Sequence, residues 1–67
     1  MNKIVEEYYN LAIIDLSEGV TIQELEDVIQ LYEDIEEYEA CAGILKAINE
    51  TRYDTTNNIK KRIDDIR

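Results

Sequence analysis

Apolar residues recur along this chain at spacings of three and four, the period of an α-helix, and nowhere alternate for long as a half-buried strand would. A first helix is predicted from about Asn2 to Ser17. At about 100° per residue, Leu11, Ile4, Tyr8, Ala12, Val5, Leu16, Tyr9 and Ile13 fall on an arc of roughly 200°. One neighbouring helix cannot cover an arc that wide, so two flanking helices or a second subunit are expected. Asp15 lies inside the arc, close to the Ile4–Tyr8–Leu11 line and to the helix C-terminus, where the helix dipole disfavours an anion. Either the helix end frays enough for Asp15 to reach water, or Asp15 pairs with a basic residue of the C-terminal segment.

Gly19 suits the left-handed position after a helix end. Thr21 and Glu24 then form a capping box, with Val20 and Leu25 placed as its hydrophobic staple. The second helix is predicted from Ile22 to about Asp34, with Ile22, Leu25, Val28, Ile29, Tyr32 and Ile35 facing the core. Asp34 with Glu37 repeats the cap-and-box pattern and places a break near residues 33–36. A helix unbroken from Ile22 to Arg52 would be about 46 Å long, with nothing comparable to pack against. The third helix is therefore predicted from about Ile35 to Tyr53, with a core arc of Tyr38, Cys41, Ala42, Ile44, Leu45 and Ile48. Gly43 falls on its outer face, where close approach of a partner backbone or tolerance of a neutral change would each account for a glycine that costs about 1 kcal/mol relative to Ala. The polar cluster Asp54, Thr55, Thr56, Asn57 and Asn58 reads as a turn. A last short helix follows, with Ile59, Ile63 and Ile66 on one stripe.

Charge changes this picture. From Ile4 to Leu45 the chain carries twelve carboxylates and no Lys or Arg. Residues 1–51 hold two basic and thirteen acidic side chains, and residues 52–67 hold five and three. The molecule is strongly dipolar, with a net charge of −9. Such a surface repels nucleic acid and acidic membranes and attracts basic protein surfaces. The hydrophobic content of 45% argues against disorder. Sixty-seven residues make one domain of marginal stability, for which the usual supports are disulfides, a metal or a partner. The single Cys41 and the absence of His leave no intrachain disulfide and no zinc site. No apolar run approaches the roughly 18 residues of a membrane span, and Glu6 and Glu7 interrupt anything resembling a signal peptide. A lone thiol without an export signal reads as cytoplasmic.

Catalytic sets are missing. Without His, the usual base for a Ser or Cys nucleophile is absent, and Cys41 sits in an apolar arc as an inert thiol. The Glu33–Glu39 acids lack the Gly and the alternating ligands of a calcium loop. No cofactor, metal or enzyme activity is expected. On the second helix Glu26 and Glu33 share one line, and Asp27 and Asp34 another. Glu24 lies beside Leu31, which the wheel leaves exposed. Glu36 and Glu39 occupy the outer face of the third helix. Rows of carboxylates on a rigid rod resemble the phosphate track of a duplex, about one charge per 1.7 Å.

Residues Glu37 to Ile48 (EYEACAGILKAI) resemble the second helix of a UVR-type helical hairpin. Tyr38-Glu39, Cys41-Ala42 and Ile44 match that helix, while Leu45 and Lys46 stand where the family carries Arg and Asp. The resemblance spans residues 22–48 and implies an antiparallel hairpin that docks on a similar hairpin or another protein. In size, acidity and lack of a catalytic set the chain also resembles the small early proteins with which bacteriophages disable host machinery, which would place it in the host cytoplasm.

The sequence thus predicts an all-α bundle of three main helices plus a short C-terminal helix, assembled as a homodimer. Its expected role is a non-enzymatic inhibitor or regulator that engages a basic, nucleic-acid-binding protein surface, without itself binding nucleic acid or membrane. Glu24, Asp27, Leu31, Asp34, Glu36 and Glu39 are the expected partner-binding residues, and Val5, Tyr9, Ile13 and Leu16 the expected oligomer interface. The alternative is an assembly module acting through helical homo-oligomerisation, its acids serving only solubility.

Overall fold

A computed structural model describes the backbone of residues 2–66 and the side chains of residues 2–52. Among these residues the regular structure is all helical: α1 (Lys3–Ser17), α2 (Ile22–Asp34) and α3 (Tyr38–Ile66). Asn2 caps α1 by accepting from the Ile4 N–H at 2.8 Å. The end of α1 is closed by a Schellman pair of bonds, from the Val20 N–H to the Asp15 carbonyl (3.0 Å) and from the Gly19 N–H to the Leu16 carbonyl (3.3 Å). Gly19 takes φ +101°, which a side chain would oppose. The capping box forms as expected: the Glu24 N–H donates to Thr21 Oγ1 at 3.1 Å, and the Thr21 N–H donates to Glu24 Oε2 at 3.4 Å.

The break between α2 and α3 falls where expected, but by a different device. Asp34 does not cap the third helix; it ends the second. The Glu37 N–H donates to the Tyr32 carbonyl (2.8 Å) and the Glu36 N–H to the Glu33 carbonyl (3.0 Å), a second Schellman motif. Its left-handed residue is Glu36, at φ 62°, rather than a glycine. Helix α3 starts at Tyr38 instead of Ile35, and Ile35 is 65% exposed rather than part of the core. The turn expected over Asp54–Asn58 is also absent, since the α3 backbone stays helical to Ile66. That cluster contains neither Gly nor Pro, so each added helical bond outweighs its modest propensity cost. The expected helix–turn–helix at the C-terminus is thus one continuous rod; the Ile59, Ile63 and Ile66 side chains lie outside those described.

The three helices run up, down and up. Val5, Tyr8 and Tyr9 meet Gly43, and the Tyr9 hydroxyl donates to the Glu50 carboxylate, so α1 runs parallel to α3. The Cys41 thiol donates to the Ile29 carbonyl (3.4 Å), and Arg52 pairs with Glu26 (2.6 Å), so α2 returns antiparallel along α3. Ala12, Leu25, Ile44, Ala47 and Ile48 form the core, with Tyr9, Ile13 and Leu16 packed on it.

Helix α3 departs in part from its predicted wheel: Cys41, Ile44 and Ile48 are buried as expected. Ala40, Gly43 and Ala47 are buried, whereas Ala42 is exposed and Tyr38 and Leu45 are 63% and 49% exposed. A Cβ at Gly43 would lie 2.3 Å from the Val5 carbonyl oxygen and 2.9 Å from the Tyr9 nitrogen. Gly43 is therefore not on the outer face; it is where the α1 backbone comes closest to α3. The row of small residues turns the buried side of α3 toward α1 and leaves part of the large-residue arc in solvent.

Candidate functional site

Two surfaces stand out: the acidic outer face of α2 with the turn that follows, and an apolar groove between α1 and α2. On the first, Glu24, Asp27, Leu31, Asp34, Glu36 and Glu39 are all exposed, with Leu31 at 65%. The structure brings Asp27 and Asp34 onto one line, two helical turns apart. Each accepts a hydrogen bond from the glutamine one turn earlier: Gln23 Nε2 to Asp27 and Gln30 Nε2 to Asp34, both at 3.1 Å. This pairing repeats every seven residues, a signal present in the sequence as Gln23-x-x-x-Asp27 and Gln30-x-x-x-Asp34 and absent from the predicted site. The amides orient the carboxylates while leaving their charge intact.

The other acids divide by role. Glu24 is engaged in the capping box, so its carboxylate already serves the start of α2. Glu26 lies on the flank toward α3 and is neutralised by Arg52. Glu33, on the same line, lies near Cys41; burial first, and then this carboxylate, push the Cys41 thiol above its ordinary range. At neutral pH the thiol stays protonated, as an inert buried cysteine should. Glu36 and Glu39 flank the α2–α3 turn.

The residues expected at an oligomer interface, Val5, Tyr9, Ile13 and Leu16, are each partly exposed. Tyr9, Ile13 and Leu16 pack against the chain's own core, and the Val5 carbonyl abuts Gly43. Lys46 sits 4.8 Å from the centre of the Tyr9 ring, a cation–π contact on the same side. What α1 leaves exposed is Ile4, Leu11 and Ile14.

The second surface explains why the α1 arc is so wide. Both α1 and α2 pack on α3 without closing fully on each other, and a cavity of about 130 Å³ remains between them. Tyr8, Leu11, Ala12 and Asp15 of α1 form one wall, and Leu25, Val28 and Tyr32 of α2 the other, with Ile44 of α3 between them. Tyr8 and Tyr32 meet edge to face, their ring centres 5.5 Å apart. The hydrogen bond to Tyr32 and the charge Tyr32 would carry, then partial burial and the carboxylates of Glu37 and Glu7, push the Tyr8 hydroxyl above its ordinary range. The groove is thus apolar inside and acid-rimmed. Asp15, expected either to fray into water or to find a cation, stands half-buried in its wall.

Among the described residues, no group of three or more His, Cys, Asp or Glu is placed to hold a metal ion, and no helix is long and apolar enough to cross a membrane. No protein-family model, curated protein or solved structure matches this chain.

Proposed function

We propose that this chain is a non-enzymatic binding protein that presents the outer face of α2 and the α2–α3 turn to a basic surface of a partner protein, inhibiting or regulating it. The observation that carries this reading is the pair of amide-supported carboxylates, Asp27 and Asp34, on the face of α2 turned away from the core. With exposed Glu36 and Glu39 they present negative charge along one side of the molecule, in a stretch of forty-two residues without a Lys or Arg. Charge of one sign in fixed rows complements a basic groove built for a nucleic-acid backbone. The antiparallel α2–α3 hairpin is the arrangement that the UVR-type resemblance implies, and the acidic, compact build fits an early bacteriophage protein that acts on a host target. The test is a variant carrying Asp27→Asn, Asp34→Asn, Glu36→Gln and Glu39→Gln, which keeps side-chain size and removes four charges. Affinity capture from the native host should recover a specific partner with the unaltered chain and lose it with the variant. Equal recovery by both would exclude the acidic face as the binding site.

A second reading has its own observation. Leu11, Ile14, Leu31, Ile35, Tyr38 and Leu45 are large apolar residues left about half exposed or more in a chain of sixty-seven residues. Covering them in a homodimer would support a domain this small. Sedimentation decides this point: a monomer at about tens of micromolar, far above a micromolar dimer constant, removes the reading.

A further inference from the structure

The groove between α1 and α2 and the far half of α3 are complementary, and we propose that each copy of the chain docks the C-terminal segment of its α3 into the α1–α2 groove of a second copy. This rests on the homo-oligomer reading and names the two surfaces that would meet. The groove supplies the first half of the argument. Its cavity of about 130 Å³ lies below the roughly 300 Å³ at which small-molecule pockets begin, and matches a space that holds one benzene-sized group. It suits one large apolar side chain from a docked helix, not a cofactor. Leu11, 55% exposed, extends the apolar wall on α1. Asp15 stands in its wall, and the carboxylates of Glu7 and Glu37 act on the Tyr8 hydroxyl that lines it.

The chain itself supplies the second half. Helix α3 has 29 residues against 15 in α1 and 13 in α2; with Val5 opposite Gly43, the end of α1 falls opposite about residue 55, and α3 runs on by roughly 15 Å past it. That extension carries Ile59, Ile63 and Ile66 at i, i+4 and i+7, the spacing of a groove-binding helix, with Lys60, Lys61 and Arg62 between them. Residues 52–67 are net positive, by five to three, and residues 1–51 net negative, by two to thirteen. The end of α3 is therefore the part of the molecule whose charge and apolar spacing both suit an acid-rimmed apolar groove. Because α3 is one unbroken rod leading away from α1 and α2, its end reaches a groove on another copy and not its own. Two such contacts related by a twofold axis close a dimer.

Charge-swapped variants of the full chain test this. One carries Lys60→Glu and Lys61→Glu; the other carries Glu7→Lys and Glu37→Lys. Sedimentation equilibrium should show a wild-type dimer, about tenfold or more weaker self-association for each variant alone, and recovery when the two are mixed, because each reversed segment then meets a groove of opposite sign. Leu11→Ser and Ile59→Ser with Ile63→Ser should weaken the dimer to a similar degree. A dimer that all these variants form with wild-type affinity, or a mixture that fails to recover, overturns the groove assignment and leaves the homo-oligomer reading standing. A monomeric wild-type chain removes both.

Discussion

Gly43→Ala would ordinarily stabilise a helix interior by about 1 kcal/mol, because glycine carries the larger entropic cost. Here the sign should reverse. The added methyl would meet the Val5 carbonyl oxygen at 2.3 Å, an atom of the α1 backbone that cannot swing aside. Helix α1 must then retreat from α3, and overpacking of this kind costs about 1–3 kcal/mol. Against a total of roughly 3–10 kcal/mol for a domain this size, that is a large loss, visible as a drop in thermal midpoint of about 4–8 °C per kcal/mol. A midpoint raised by the substitution would mean that α1 does not approach α3 at this point. The sequence allowed a close backbone approach at Gly43 but placed the residue on the outer face, for a definite reason. A helical wheel weighs faces by large apolar residues, and the face of α3 toward α1 is made of Ala40, Gly43 and Ala47. Small residues mark close approach only once the neighbouring helix is known. Cys41 was legible, by contrast, because a thiol next to Ile44 and Ile48 at helical spacing falls on a buried face under either placement of the arc.

At the scale of elements, chain punctuation was easiest to read where glycine or a hydroxyl imposes it. Gly19 and Thr21 placed the first turn and the start of α2 almost to the residue, since few other residues satisfy a left-handed C′ position or a capping box. The second turn was located by the Asp34–Glu37 pattern, yet it is built by Glu36 in the left-handed region. Nothing in a glutamate advertises that conformation. Holding a non-glycine residue there costs about 1–2 kcal/mol, so Glu36→Gly should raise stability by about 1 kcal/mol in chemical denaturation. Unchanged or lower stability would show that the glutamate side chain contributes to the turn as much as its backbone costs. The same substitution removes one of the proposed contact charges, so a variant that is more stable yet binds less well would separate the two roles of this residue. The polar cluster from Asp54 to Asn58 misled in the opposite direction: residues that favour turns at a helix end do not stop a helix from propagating. The Glu26–Arg52 pair joins α2 to α3 while 44% and 57% exposed, and pairs of that kind contribute about 0–1 kcal/mol, so the hairpin depends on Leu25, Ile29 and Ile48 rather than on charge.

The whole molecule is a three-helix rod, 49 Å by 24 Å by 19 Å, whose acids crowd one end of the sequence and whose bases crowd the other. All-helical architecture, three main elements and most of the inward arcs of α1 and α2 were legible in periodicity alone. The groove was not, because it arises from how α1 and α2 each pack on α3 without closing on one another. A net charge of −9 on sixty-seven residues repels itself at low ionic strength. Salt shortens the screening length to about 10 Å at 0.1 M, so the thermal midpoint should rise between low salt and that concentration. A fall would show that attractive pairs outweigh the repulsion. Partner binding should respond in the opposite sense, since screening weakens attraction between the acidic face and a basic surface. The central claim is best tested by capturing the partner from the native host on the immobilised full chain and eluting it across a salt gradient. Binding through the carboxylate rows of α2 and its turn predicts release at moderate salt, with the steepness reduced when Asp27 and Asp34 are converted to asparagine; a partner held equally well at low and high salt, by both forms, would contradict it.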